Sequence, residues 1–416
     1  MADRPRVVIL GCGFGGMGAS HSLRDVAADV TLLDKNDYHT FQPLLYQVAT
    51  ATLEPETVGH SIRELVHDHS NFRFHQTTVT GVNLADRTVE VEDMPPIPYD
   101  YLIAALGARV NFFGVEGAQE HSFPLYTLKD AVQLKNHVLR AFEEADKNPD
   151  LTDHGALNIV IVGGGPTGVE TAGALAELFS MDFVDDFPDL PVNEGRIILV
   201  DGAPAVLHAF NDDLRAYAKD ALEQRGVELR LGQHVTSVGP ESVTLQSGEQ
   251  IKTRTVIWAG GLQASPLAKW LGIEPGRGGR VPVRADLSLD GHPEVFVVGD
   301  VAQAEDSETH EVLPQLGAVA LQAGKSAGRN VLNCIEGKPT EPFHYRDKGF
   351  MATIGRGAAV AQMPFGVSLR GTMAWLAWGS VHLALLTGWE SRMATVIDWF
   401  WDLFQREHGK RIHVEE

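Results

Sequence analysis

The chain has 416 residues, 44% of them hydrophobic and 21% charged, an ordinary globular composition with room for two or three domains. Its formal net charge of −21 excludes sequence-independent binding to nucleic acid and leaves any membrane attachment to apolar contacts. The cysteines, Cys12 and Cys334, carry no CxxC spacing, which excludes a disulfide framework, a thiolate zinc site and disulfide-reductase chemistry; no metal site is expected.

"MADRPR" leads directly into the strand "VVIL", leaving no room for a signal peptide, so a cytosolic chain is expected. "VVILGCGFGG" (7–16) is a strand, then Gly11-x-Gly13-x-x-Gly16, then a helix of small residues. Gly11 serves the tight turn, Gly13 the approach of a pyrophosphate, and Gly16 close helix–strand packing. Cys12 reads as a small packing residue of the loop. The next strand, "VTLL", ends in Asp34, placed to accept from ribose hydroxyls.

"IVIVGGGPTGVE" (159–170) repeats the pattern with Gly163, Gly165 and Gly168, a helix over 167–180, and the strand "RIILVD" (196–201) ending in Asp201. The acidic, proline-bearing "MDFVDDFPDLPVNEG" (181–195) reads as an insertion in the connection between them. Two glycine loops imply two nucleotides. "VFVVGDVA" (295–302) places Gly299-Asp300 after a third buried strand, before a helix around 315–334, as flavoproteins with two such domains do at the FAD ribitol and diphosphate. The first loop is therefore assigned to FAD and the second to NADH. Asp201 would repel the 2′-phosphate of NADPH, and the next basic residue, Arg215, lies too far along to bind one.

The expected fold class is α/β, with two Rossmann-like dinucleotide-binding domains, the second inserted in the first. "YDYLIAALGARVNFFGVEG" (99–117) and "TVIWAGGLQASPL" (255–267) read as the crossings. The expected boundaries are 1–120 and 265–345 for the FAD-binding domain, 121–264 for the NADH-binding domain, and 346–416 for a C-terminal membrane-associating region of strands and amphipathic helices.

That tail holds five of the seven tryptophans, Trp375, Trp378, Trp389, Trp399 and Trp401. "GTMAWLAWGSVHLALLTGW" (371–389) lacks acidic and basic residues over a length near the ~20 needed for a membrane span, but Gly, Ser, Thr and His382 dilute it. In the next helix Met393, Val396, Ile397, Phe400 and Phe404 share one face, while Arg392, Asp398, Asp402, Gln405 and Arg406 lie mostly elsewhere. The preferred reading is an interfacial anchor with "HGKR" toward lipid phosphates. The alternative is a helix pair buried against the body or in a homodimer. His39, His75, His208 and His382 are scattered and read as surface or structural.

The motifs "FQPLLYQVATA" (41–51), "IVGGGPTGVETAGALAE" (161–177), "TVIWAGG" (255–261), "VFVVGDVA" (295–302) and "KGFMATIGRGAAVA" (348–361) resemble the type II NADH dehydrogenases. These are single-subunit, FAD-containing, non-proton-pumping NADH:quinone oxidoreductases, and the likeness runs over essentially the whole chain. It implies FAD at Gly11, Gly13, Gly16, Asp34 and Asp300, with Gln42, Pro43 and Tyr46 near the isoalloxazine. It implies NADH at Gly163, Gly165, Gly168, Glu170 and Asp201. Gly15, Lys35, Gly107, Gly260, Gly299, Gln315, Leu316, Gly317 and Ala318 complete the implied cofactor-binding set. Glu170, Gln322 and Gln42 are the implied catalytic residues, Glu170 being associated with nicotinamide placement or the quinone route. By its position alone, Glu170 could equally be a solvated first-turn residue.

One departure stands out. The family's AQxAxQ helix usually starts with an Ala-Gln pair, where "LPQLGAVALQAG" (313–324) has Gly317 and Ala318, keeping Gln322. A wider acceptor site, menaquinone first, is the expectation, with the protein peripheral on the cytoplasmic face of the cell membrane. The competing readings are a soluble NADH-dependent ferredoxin- or rubredoxin-type reductase and an NADH-binding redox sensor.

Overall fold

Arg6–Leu10 and Asp29–Asp34 are short apolar runs buried on both faces, as strands inside a parallel sheet must be. The computed structural model, which describes residues 4–405 and 411–412, places them in a six-stranded sheet. Its order is Ser288–Leu289, His292–Val297, Tyr101–Ala104, Arg6–Leu10, Asp29–Asp34, Phe72–Gln76; all neighbours are parallel except the first pair. Alternation along the central strand sends Val7 and Ile9 into one buried cluster and Val8 and Leu10 into another.

This sheet belongs to the first of two compact units, made of the residues up to His39 with His60–Arg109 and Leu262–Asp347. One face is covered by the helices Phe14–Ser22 and Gly317–Ile335, which meet through glycines. A Cβ at Gly18 would strike the Leu321 carbonyl, and one at Gly324 the Gly15 carbonyl.

The second unit comprises Thr40–Gly59, Val110–Gly261 and the residues from Lys348 onward. Residues 40–59, read from sequence as part of the FAD-binding domain, group here. A five-stranded parallel sheet runs Phe123–Pro124, Thr255–Trp258, Ile159–Val162, Ile197–Asp201, Val227–Leu231. The long helix Leu128–Lys147 starts at a capping box, Thr127 with Asp130.

Helix Pro166–Leu178 follows Ile159–Val162. It then continues through a π-helical turn, Phe179–Phe183, to Val184–Asp186. The segment 181–195 is therefore not simply a connecting insertion; it begins as helix. Phe142, Phe179, Phe183 and Phe187 pack together there, with ring centroids 4.3 Å apart for Phe142 and Phe183, and this aromatic cluster holds the extra turns.

From residue 350 the chain forms an antiparallel sheet of Phe350–Gly355, Ala358–Gln362 and Ser368–Arg370, then two helices, Thr372–Leu385 and Trp389–Gln405. The span-length segment 371–389 breaks into a 14-residue helix and a turn, and Arg392 donates to the Ala384 and Leu386 carbonyls at that break. No helix among the described residues is long and apolar enough to cross a membrane.

Candidate functional site

Gly11 (φ +88°) and Gly163 (φ +117°) turn the two loops with left-handed backbone that other residues rarely adopt. A side chain at Gly163 would also collide with the Gly260 backbone, and one at Gly11 with the Ala105 carbonyl. At Gly13 and Gly165 a Cβ would meet nothing within 4 Å, so both loops leave open space where a pyrophosphate belongs.

The strand-end acids brace these loops. Asp34 accepts from Cys12 N–H at 2.6 Å and Asn36 N–H at 2.8 Å; Asp201 accepts from Gly164 N–H and from Ala203 N–H at 2.6 Å. Burial raises the Asp34 pKa against these hydrogen bonds. Each carboxylate retains lone pairs for a ribose. Arg215 is held by Asp212.

His39 supplies a signal that sequence reading assigned no ligand role. It is 1% exposed, its Nδ1 lies 2.7 Å from the Cys12 carbonyl, and its ring stands edge-on to Phe14. A carbonyl only accepts, so Nδ1 carries the proton. Burial holds the pKa below the ordinary value, which leaves Nε2 a neutral acceptor. Nε2 is buried with no hydrogen-bond partner among the described residues. An orphaned acceptor beside an open glycine loop fits a ligand carrying hydroxyl or imide donors, as FAD does.

The rest of the predicted set in this unit is placed as follows. Gln315 Nε2 donates to the Asp300 carbonyl at 2.9 Å, tying the start of helix Gly317–Ile335 to the Gly299 turn (φ +74°). Leu316 is its N-cap residue, and Gly317 lies against the Phe14 ring, where a Cβ would approach to 3.0 Å. Ala318, in the first turn, is half-buried, Gly15 is buried and Lys35 is exposed. Gly107 O accepts from Ser265 N–H. Gln322, expected to be catalytic, clasps the Arg346 backbone in both directions at 3.1 Å.

In the second unit, Gln42 Nε2 reaches the Tyr126 carbonyl at 3.3 Å. Glu170 is no solvated first-turn residue. It is 8% exposed, accepts from Thr353 N–H at 3.3 Å, and lines a cavity of about 310 Å³ within this unit. Burial pushes its pKa up to about 8. The Trp378 indole N–H, buried and closing no hydrogen bond among the described residues, lends its dipole to the charged form. Tyr46, Gln47, Trp375, Leu383 and Trp399 share the wall, so the cavity is mainly apolar with a few polar atoms.

Residues 5–324 match the pyridine nucleotide-disulphide oxidoreductase family and residues 348–407 the NDH2 C-terminal domain. Two proteins of Mycobacterium tuberculosis are similar over nearly the whole chain. The type II NADH:quinone oxidoreductase NdhA is 37% identical, covering 99% of this chain and 89% of its own; Ndh is 36% identical, covering 95% and 87%. The chain belongs to the type II NADH:quinone oxidoreductases. The structure of NDH2 from Plasmodium falciparum in complex with NADH shares the fold, with a TM-score of 0.91 at 21% identity over 99% of this chain and 100% of that one.

This NADH:quinone oxidoreductase uses FAD and NADH. Its last helix was legible as amphipathic, but Gln47, Thr353 and the role of Trp378 were not. They lie in distant parts of the sequence and are joined only by packing. One face of these helices is buried against the body, with Ala374, Trp378 and Thr395 inside, while large apolar side chains on the other face are exposed, among them Trp389 at 72% and Ile397 at 59%. At the basic end Arg411 pairs with Asp182 and Asp186 instead of facing outward. The side chains of Asp402, Phe404 and Gln405, with Arg406 and residues 408–410, lie outside the described set.

Proposed function

We propose that FAD binds the glycine loop of the first unit, that NADH binds the loop of the second, and that quinone is reduced in the cavity beside Glu170. Gly11, Gly13, Gly16, Asp34, His39 and Asp300 hold FAD; Gly163, Gly165, Gly168 and Asp201 hold NADH. Bound FAD supplies the two-electron relay between NADH and quinone.

One observation carries the acceptor site. The helix that opens at the second glycine loop also carries Glu170, one turn past Pro166, into an apolar cavity roofed by Trp378. Turnover converts NADH, H⁺ and quinone to NAD⁺ and quinol, so each cycle needs one proton beyond those NADH provides. Glu170, protonated below about pH 8, holds that proton at its carboxyl and is recharged from solvent. The scarcity of polar groups suits a bulky apolar ring, menaquinone before benzoquinones.

Trp389, Met393 and Ile397 face outward from the last helix and insert at a membrane surface. Because NADH is an intracellular reductant, that surface is the cytoplasmic one. With a net charge of −21, attachment is apolar and insensitive to salt. Vesicle sedimentation tests this: Trp389→Glu with Ile397→Glu should release the holoprotein at every ionic strength while flavin reduction by NADH persists. Unchanged sedimentation overturns the anchor. Loss of a dimer without loss of vesicle binding would assign the face to a second copy.

A further inference from the structure

Gln47 sits in the short helix Leu45–Ala49, 6% exposed, with its carboxamide between two aromatic partners. Trp399 Nε1 donates to Gln47 Oε1 at 2.8 Å, and Gln47 Nε2 donates to Tyr46 Oη at 2.8 Å. The direction of this chain follows from the partners. An indole N–H can only donate, so the amide oxygen must face Trp399. The amide NH2 is then left for Tyr46, whose oxygen accepts, and the phenolic proton must find its acceptor elsewhere. Tyr46 is 5% exposed and shares the cavity wall with Glu170.

Trp399 is itself fixed. Its ring lies 5.4 Å from that of Trp378 and passes over Gly379, where a Cβ would approach it to 3.3 Å. It belongs to helix Trp389–Gln405, whose outer face carries the exposed apolar residues.

We infer that Gln47 is a positioning residue for quinone reduction: anchored by Trp399, it turns the Tyr46 hydroxyl so that its proton is offered into the cavity to a quinone carbonyl oxygen. This rests on the reading that quinone enters this cavity. Burial and the nearby Glu170 and Glu177 carboxyls keep Tyr46 protonated, its pKa well above 10. The carbonyl oxygen gains negative charge as the ring is reduced, so a preset donor binds the reacting state more strongly than the resting quinone. Because Trp399 rides on the outer helix, seating that helix at a surface is linked to the donor's orientation.

The test uses holoprotein with Gln47→Leu, Gln47→Glu and Trp399→Phe. The probes are a naphthoquinone substrate and a naphthalene of the same outline lacking carbonyls, used as a competitor. Gln47→Leu should lower kcat/KM for quinone about 5- to 10-fold, with a smaller fall for Trp399→Phe. The competitor's inhibition constant and the rate of flavin reduction by NADH should not move. Gln47→Glu is the sharper variant. Its carboxylate still accepts from Trp399 but also draws the Tyr46 proton away from the cavity; when protonated, its O–H replaces the amide donor.

Quinone affinity in Gln47→Glu should therefore be weak at high pH and recover at low pH. The comparison is with the wild-type profile, since the buried Glu170, the half-buried His382 and the charged Glu177 and Arg356 also surround this cavity. Equal weakening of quinone and competitor, or a Gln47→Glu profile matching wild type, overturns the inference. Leu383→Trp, which fills the cavity, separates the two levels. If it leaves the quinone KM unchanged, quinone binds elsewhere and the underlying reading falls. If it blocks quinone while the Gln47 variants are silent, only the Gln47 role falls.

Discussion

At Gly16 and at Gly168 a Cβ would run into the carbonyl of the loop's own first glycine, Gly11 or Gly163. In both units the acid at the end of the next strand accepts a loop N–H. Up to that point the two nucleotide loops are the same object. They diverge in what lies against the helix that follows. Phe14–Ser22 packs through its glycines on a second helix, Gly317–Ile335, and its one ionisable residue, His21, is exposed. Pro166–Leu178 packs on the strand Phe350–Gly355, where a Cβ at Gly173 would strike the Ile354 carbonyl. That strand brings Thr353 N–H to Glu170 and helps bury the carboxyl beside the cavity. The covering element is thus what gives the second loop's helix a buried carboxyl beside a cavity.

Placing valine at each loop's last glycine breaks the comparison most severely. Overpacking against backbone costs roughly 3 kcal/mol or more, about 100-fold in affinity. Gly16→Val should yield protein without FAD. Gly168→Val should keep its flavin absorbance yet be reduced by NADH only at far higher NADH concentration. If both variants lost the same nucleotide, the division of cofactors would be wrong.

Glu170→Gln tests the difference in cover. Quinone turnover should fall about 100-fold while NADH still reduces the flavin at the wild-type rate in stopped flow. The wild-type acceptor rate should decline as pH rises through about 8, and the variant should not follow it. Stability follows the same proton. Glu170 has a folded pKa raised from 4.5 to about 8, so its contribution is fully present below 4.5 and lost progressively as pH rises to about 8. Glu170→Gln should then be the more stable protein at pH 9, by several kcal/mol in denaturant melts. A wild type that gained stability over this range would mean the carboxyl is charged in the fold.

The smallest effect separates the two acids. Asp201→Ser with Ala203→Arg should shift discrimination from NADH toward NADPH by roughly 2 kcal/mol, read as kcat/KM for the two donors. The Gly164 and Ala203 N–H groups also lose their acceptor, so NADH use should fall in absolute terms. Asp34→Ser should weaken FAD and leave that ratio alone. A changed ratio in Asp34→Ser would couple the loops in a way their separate geometries do not suggest.

The sequence by itself determined the two loops, the strands before them and the acids after them. Each is a local pattern: glycines at set offsets, a short apolar run, a carboxylate at a strand end. The α/β class and the amphipathic last helix were legible for the same reason. The tertiary structure alone decided that Glu170 is buried, that Gln47 joins Tyr46 to Trp399, and that Gln322 clasps Arg346. It also decided that the chain after 181 stays helical and that Arg411 turns inward to Asp182. Burial and hydrogen-bond partners depend on residues hundreds of positions apart, such as Gln47 with Trp399 and Glu170 with Thr353. No periodicity or spacing encodes such a meeting; it exists only once the elements pack, and with it the carboxyl's pKa and the direction of a hydroxyl proton.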